Sequence, residues 1–223
     1  MNFKEYPDRD MLALDLADTL AGELGAALRH EDRVTFSVPG GTTPGPIFDA
    51  LSGVRLDWER VDVVLNDERW VPETSPRSNT GLLRQRLLSG HAAAATLLPL
   101  YADAPEPEGA LEALSQALAP HMPINVLVLG MGGDMHTASL FPGADRLEEA
   151  LASDAPILLP MRAEDAGEPR ITITAPYLRG ALSTHVVIMG AEKRAALERA
   201  RTLTPVEAPI AAVLAEATVH WAP

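Results

Sequence analysis

Short apolar runs alternate with segments of helical periodicity along the chain, and this alternation constrains the fold more than any other feature. Val34-Thr-Phe-Ser-Val38, Val61-Asp-Val-Val-Leu65, Ile124-Asn-Val-Leu-Val-Leu129 and His185-Val-Val-Ile-Met189 read as strands buried on both faces. Residues 8–30 place leucine at every fourth position, Leu12, Leu16, Leu20, Leu24 and Leu28, which gives the apolar stripe of an amphipathic helix. Further helices are expected from Pro44 to about Leu51, over 78–90 with Ser78 or Asn79 as N-cap, up to about Leu118, and over 191–201. Pro156–Pro160, Arg170–Thr174 and Ala217–Trp221 read as additional strands. Strands and helices in this order specify an α/β fold: three layers, with a mostly parallel sheet and helices on both faces. No linker, repeat or low-complexity tract interrupts the 223 residues, so a single domain spanning 1–223 is expected.

Charge and composition narrow the function. The net charge of −13 and the lack of any basic run argue against nucleic acid as a partner. No apolar stretch reaches 18 residues and the N-terminal segment has no apolar core, so neither a membrane span nor a signal peptide is expected; the cytoplasm is the default location. Without cysteine there are no disulfides, thiolate metal sites or thiol nucleophiles. No obligatory protein partner is evident. Sixteen arginines accompany only two lysines, Lys4 and Lys193, so a lysine placed beside a loop stands out. A chain this acidic repels anionic metabolites at long range, and a phosphate-binding site in it needs its own local cations.

In parallel sheets, ligands bind beyond the carboxyl ends of the strands. Four loops fall there. Pro39-Gly-Gly-Thr-Thr43 offers two glycines, two hydroxyls and a helix N-terminus; it is either a phosphate cradle or a plain tight turn. Asn66-Asp-Glu-Arg-Trp-Val-Pro72 offers Asp67 as a partner for a polar group and Arg69 for an oxyanion, or else forms a solvated loop with a local ion pair; Arg77 and Asn79 follow. Gly190-Ala-Glu-Lys193 sets Lys193 at a helix start. The richest loop is Gly130-Met-Gly-Gly-Asp-Met-His-Thr-Ala-Ser-Leu-Phe-Pro-Gly143. His136 is the one histidine of six in a glycine-rich loop, suited to take a proton from water near neutral pH, with Asp134 or Asp67 to fix its tautomer or its charged form. No ligand-spaced second histidine or acidic cluster supports a metal site, and no Gly-x-Ser-x-Gly elbow supports a serine hydrolase.

These loops, in this order, resemble the 6-phosphogluconolactonase family, which shares a wider group with the glucosamine-6-phosphate isomerase/deaminases. The resemblance runs from about Pro39 to Leu214. It rests on residues 130–143, on Asp67-Glu-Arg-Trp-Val-Pro72 with Ser78-Asn79, on Arg170-Ile-Thr-Ile-Thr174 and on Gly190-Ala-Glu-Lys193. It implies a modified Rossmann-like fold and hydrolysis of 6-phospho-D-glucono-1,5-lactone to 6-phosphogluconate, in the oxidative pentose phosphate pathway, with no cofactor and no metal. By that resemblance His136 activates water, Asp67 supports the charge of the site, and Arg69 stabilises the oxyanion. Gly40, Gly41, Thr42, Thr43, Arg77, Asp134, Arg170 and Lys193 are expected to bind the substrate and its phosphate.

Two departures from the family pattern stand out. Met135 replaces a glycine, which implies backbone strain if that position holds a positive φ, and a narrowed pocket if the glycine gives clearance. Pro39 replaces a serine, removing a donor from the turn. The deaminase branch carries a glutamate where this chain has Phe141, which cannot move protons. The remaining alternative is a sugar-phosphate-binding protein without turnover.

Overall fold

The computed structural model describes Met1 to Pro223 except Asp165. Seven strands form one sheet, parallel throughout, in the order β1 (Asn2–Glu5), β10 (Thr218–Ala222), β9 (Ser183–Met189), β6 (Val126–Gly130), β2 (Val34–Val38), β3 (Val61–Leu65) and β5 (Thr96–Leu98). Every residue of β2 and β3 is buried, as strands covered on both faces require. The helices around the sheet are α1 (Arg9–Ala27), α2 (Gly45–Ser52), α3 (Asn79–Arg86), α4 (Leu111–Leu118), α5 (Leu147–Leu151), α6 (Ala175–Arg179) and α7 (Ala191–Ala200). None of the described helices is long and apolar enough to cross a membrane.

The leucine stripe of α1 does what its spacing predicts. Leu12, Leu16, Leu20 and Leu24 are fully buried, and each such burial contributes about 1.5–3 kcal/mol. Asp8 caps the helix, accepting a hydrogen bond from the Met11 N–H at 2.8 Å. At α3 the cap is Ser78, which accepts from the Gly81 N–H.

Three parts of the architecture differ from expectation. Asp67–Arg69, expected as loop, is a strand, β4. It pairs antiparallel with β8 (Arg170–Ile173), which pairs antiparallel with β7 (Leu158–Met161). The two middle strands expected at 156–160 and 170–174 therefore exist, but in this small second sheet; Pro160 is tolerated because β7 is its edge. The helix expected over 78–90 ends at Arg86. β1 and β5 were not anticipated: β1 is exposed at all four positions and β5 is three residues long, so neither has an apolar pattern to read.

The strand order fixes where a ligand can sit. From β2 the chain moves outward to β3 and β5, then returns to the other side of β2 at β6 and continues to β9 and β10. The loops leaving β2 and β6 diverge there, opening a crevice at the topological switch point.

Candidate active site

The crevice holds a cavity of about 260 Å³. Gly40, Gly41 and Thr43 enter from the loop after β2, Asp67 and Arg69 from β4, His136 from the loop after β6, Arg170 from β8 and Lys193 from α7. Asn79, at the start of α3, also lines it. Segments more than 150 residues apart in sequence thus line one cavity. Three expected residues stand outside the lining. Thr42 is exposed, and its carbonyl accepts from the Gly45 N–H. Arg77 is exposed and paired with Glu168 at 2.8 Å. Asp134 is exposed and turned to the histidine instead.

The loop after β6 builds a histidine–carboxylate pair. The Met135 N–H donates to the Gly132 carbonyl and the Gly132 N–H to the His136 carbonyl, closing a tight turn. This turn brings Asp134 Oδ1 to 2.5 Å from His136 Nδ1. Gly132 is required: a Cβ there would overlap both side chains. The hydrogen bond from His136 holds the Asp134 carboxyl below the usual carboxylate range, so it is ionised and accepts. Nδ1 therefore carries a proton, which makes Nε2, without a hydrogen-bond partner among the described residues, the lone-pair nitrogen of the neutral ring. Asp134, expected among the substrate ligands, lies outside the cavity lining and pairs with His136. An anionic carboxylate would also repel a phosphate. Asp67, expected to support the histidine, bonds to the Ser139 hydroxyl at 2.5 Å and lies 3.7 Å from Arg170.

The opposite wall is cationic. Arg69 and Arg170 are direct partners across the antiparallel β4–β8 ladder. Like charges in that position repel unless an anion lies between them. Each has a buried Nε without a partner. Arg69 donates to the Arg77 carbonyl at 3.0 Å and Arg170 to the Ala166 carbonyl at 2.9 Å. Burial pushes Arg170 below the ordinary guanidinium range, an effect that Asp67 opposes. Lys193 adds a third cation at the first turn of α7. Two opposed guanidiniums with unused donors make a site for an oxyanion.

Two further residues shape the site, and their types alone did not reveal it. Glu68 is fully buried between Asp67 and Arg69. Its carboxylate accepts from the N–H groups of Arg69, Asn79 and Thr80 and from the hydroxyls of Ser78 and Thr80, at 2.7–3.2 Å. It fastens β4 to the N-terminus of α3, where a negative charge is favoured. In the sequence Glu68 stands three positions after the buried strand, between Asp67 and Arg69, and reads as one more charge of a solvated loop. Phe141 lies 4.5 Å from the His136 ring and 5.6 Å from the Arg170 guanidinium, between base and cation. Gly40 proves necessary for a neighbour: its missing Cβ leaves room for the Asn79 carboxamide.

A family model described as glucosamine-6-phosphate isomerases/6-phosphogluconolactonase matches residues 7–221. The chain belongs to this family. A 6-phosphogluconolactonase of Mesorhizobium japonicum is 44% identical to it, the match covering 100% of this chain and 95% of the relative. One of Rhizobium meliloti is 41% identical over 100% and 99%. The solved structure of a 6-phosphogluconolactonase from Shewanella baltica superposes with a TM-score of 0.96 at 31% identity, covering 100% of this chain and 98% of that one. The position where the family resemblance led a glycine to be expected lies in the loop carrying His136. Met135 has φ +69°, so the strain reading of the missing glycine applies. Ala138 is also left-handed, at φ +48°, which places both strained residues beside the histidine. Among the described residues, no three His, Asp or Glu side chains are grouped to hold a metal ion.

Proposed function

We propose that this chain hydrolyses 6-phospho-D-glucono-1,5-lactone to 6-phosphogluconate by general-base activation of water. One observation carries the reading: a histidine with its tautomer fixed and Nε2 open shares a single cavity with two opposed, donor-rich arginines and a lysine. Arg69, Arg170 and Lys193 anchor the phosphate, with Thr43 and the turn at Gly41 beside it. Arg69, first read as an oxyanion donor, fits the phosphate better because it faces Arg170. His136 Nε2 takes a proton from water as the oxygen attacks the lactone carbonyl. The tetrahedral oxyanion is met by loop N–H groups. Collapse breaks the bond to the ring oxygen, and His136 returns its proton there, leaving the open-chain acid, which gives up the second water proton to solvent and becomes the carboxylate. Asp134 steadies the imidazolium between the two transfers. The pathway role and a cytoplasmic setting go with this reading, and the substrate is the one partner it requires.

Because the lactone also opens unaided, the test compares freshly generated substrate with and without the protein, and repeats it with unphosphorylated gluconolactone. The expected result is clear acceleration for the phosphorylated lactone and kcat/KM lower by about 100-fold without the phosphate, the worth of one or two charge-assisted contacts. Equal rates with and without protein, alongside tight sugar-phosphate binding, would favour a binding protein. Phe141 supplies no proton-moving group beside the histidine. Incubation with glucosamine 6-phosphate is therefore expected to release no ammonia.

A further inference from the structure

A second polar chain lies away from the cavity, where α1 packs on β10. Asp15 Oδ2 lies 2.8 Å from the Tyr6 hydroxyl, which lies 2.9 Å from His220 Nδ1. His220 Nε2 is 3.0 Å from His185 Nδ1, and His185 Nε2 is 2.9 Å from Glu23 Oε2. Both imidazoles are buried. Lys4 pairs with Asp15 at one end, and the Ser183 hydroxyl is 3.2 Å from His185 Nε2 at the other. On the far side of β9, the β6 residue in register with His185 is Val128, which brings no charge.

Four contacts this short need four shared protons. Tyr6 brings one and each neutral imidazole one; the terminal carboxylates bring none. However the three are arranged, one contact sets two acceptors against each other. Ser183 can donate to His185 Nε2 but leaves that nitrogen facing Glu23. We propose that the network holds a fourth proton and that His185 carries it, as a buried imidazolium paired with Glu23 and stitching α1 to β9 and β10. The neighbours leave no other seat. Burial pushes the Tyr6 hydroxyl up to about 12, so it keeps only its own proton, and pushes His220 down to about 4, so it holds one. Lys4 holds Asp15 below the usual carboxylate range; burial raises Glu23, but His185, Ser183 and His220 together bring it below that range. Above the ordinary histidine range the folded chain then binds one proton more than the unfolded chain, and stability falls as pH rises.

Nitrogen-15 NMR of the histidine rings in the full chain at neutral pH tests this. The expected result is two protonated nitrogens on His185 and one on His220. A single protonated nitrogen on His185 would overturn it. Glu23→Gln, at the partly exposed face of α1, supplies the missing proton from its amide. His185 is then expected to become neutral, and the loss of about tenfold in the folding equilibrium per pH unit above neutrality is expected to disappear. An unchanged His185 pattern and an unchanged alkaline slope in that variant would equally contradict the proposal.

Discussion

At the scale of single residues, the proposed mechanism separates orientation from binding. Asp134 touches His136, the proposed base, and lies outside the cavity lining, so Asp134→Asn is expected to lower kcat by about 10–100-fold, the usual cost of losing an orienting partner, with KM little changed. Lys193 is a cation with no part in the proton transfers. Lys193→Ala is expected to raise KM for the phosphorylated lactone by about 10–100-fold, the worth of one charged contact, and to leave hydrolysis of the unphosphorylated lactone unchanged. Steady-state kinetics on both substrates separates these effects. Met135 at φ +69° makes a third case: a β-branched residue tolerates that backbone least, so Met135→Val is expected to cost a further 1–2 kcal/mol or so in a denaturant titration. That His136, the glycine turns, Arg170 and Lys193 gather at one cavity could be read from the chain, because their loops all leave strand ends. The pairing of Asp134 with His136 and the opposition of Arg69 to Arg170 could not, because they depend on a two-residue turn and on a cross-strand register.

Among the elements, β4 organises the site. It sets Asp67 and Arg69 into the cavity, aligns Arg69 with Arg170 and is pinned to α3 by Glu68. Glu68→Ala strips five donors of their acceptor. It is expected to lower stability by about 3 kcal/mol or more and to disturb Asn79 and Arg69 together, read as a lower denaturant midpoint and a raised KM. The four central strands and α1 were legible because burial on both faces, or a leucine every fourth position, leaves its mark on composition. β4 carries Asp, Glu and Arg and is three residues long. Its strand character comes from pairing with β8 about 100 residues later, a long-range contact that no local pattern records.

Across the whole molecule, charge and protonation set the working range. The chain is strongly acidic, and its cavity gathers three cations against that background. Buried His220, pushed down to about 4, refuses a proton that the unfolded chain accepts near 6.5. Its share of stability, about 3–4 kcal/mol at the usual 1.4 per pKa unit, is therefore present above pH 6.5 and is lost as pH falls toward 4. Thermal unfolding between those limits is expected to show this slope, reduced in His220→Gln. The central claim concerns His136 and is tested most directly by one rate. His136→Ala, folded and still binding 6-phosphogluconate, is expected to hydrolyse fresh 6-phosphogluconolactone no faster than the solution does by itself. Turnover close to that of the unaltered chain would contradict the assignment of His136 as the base.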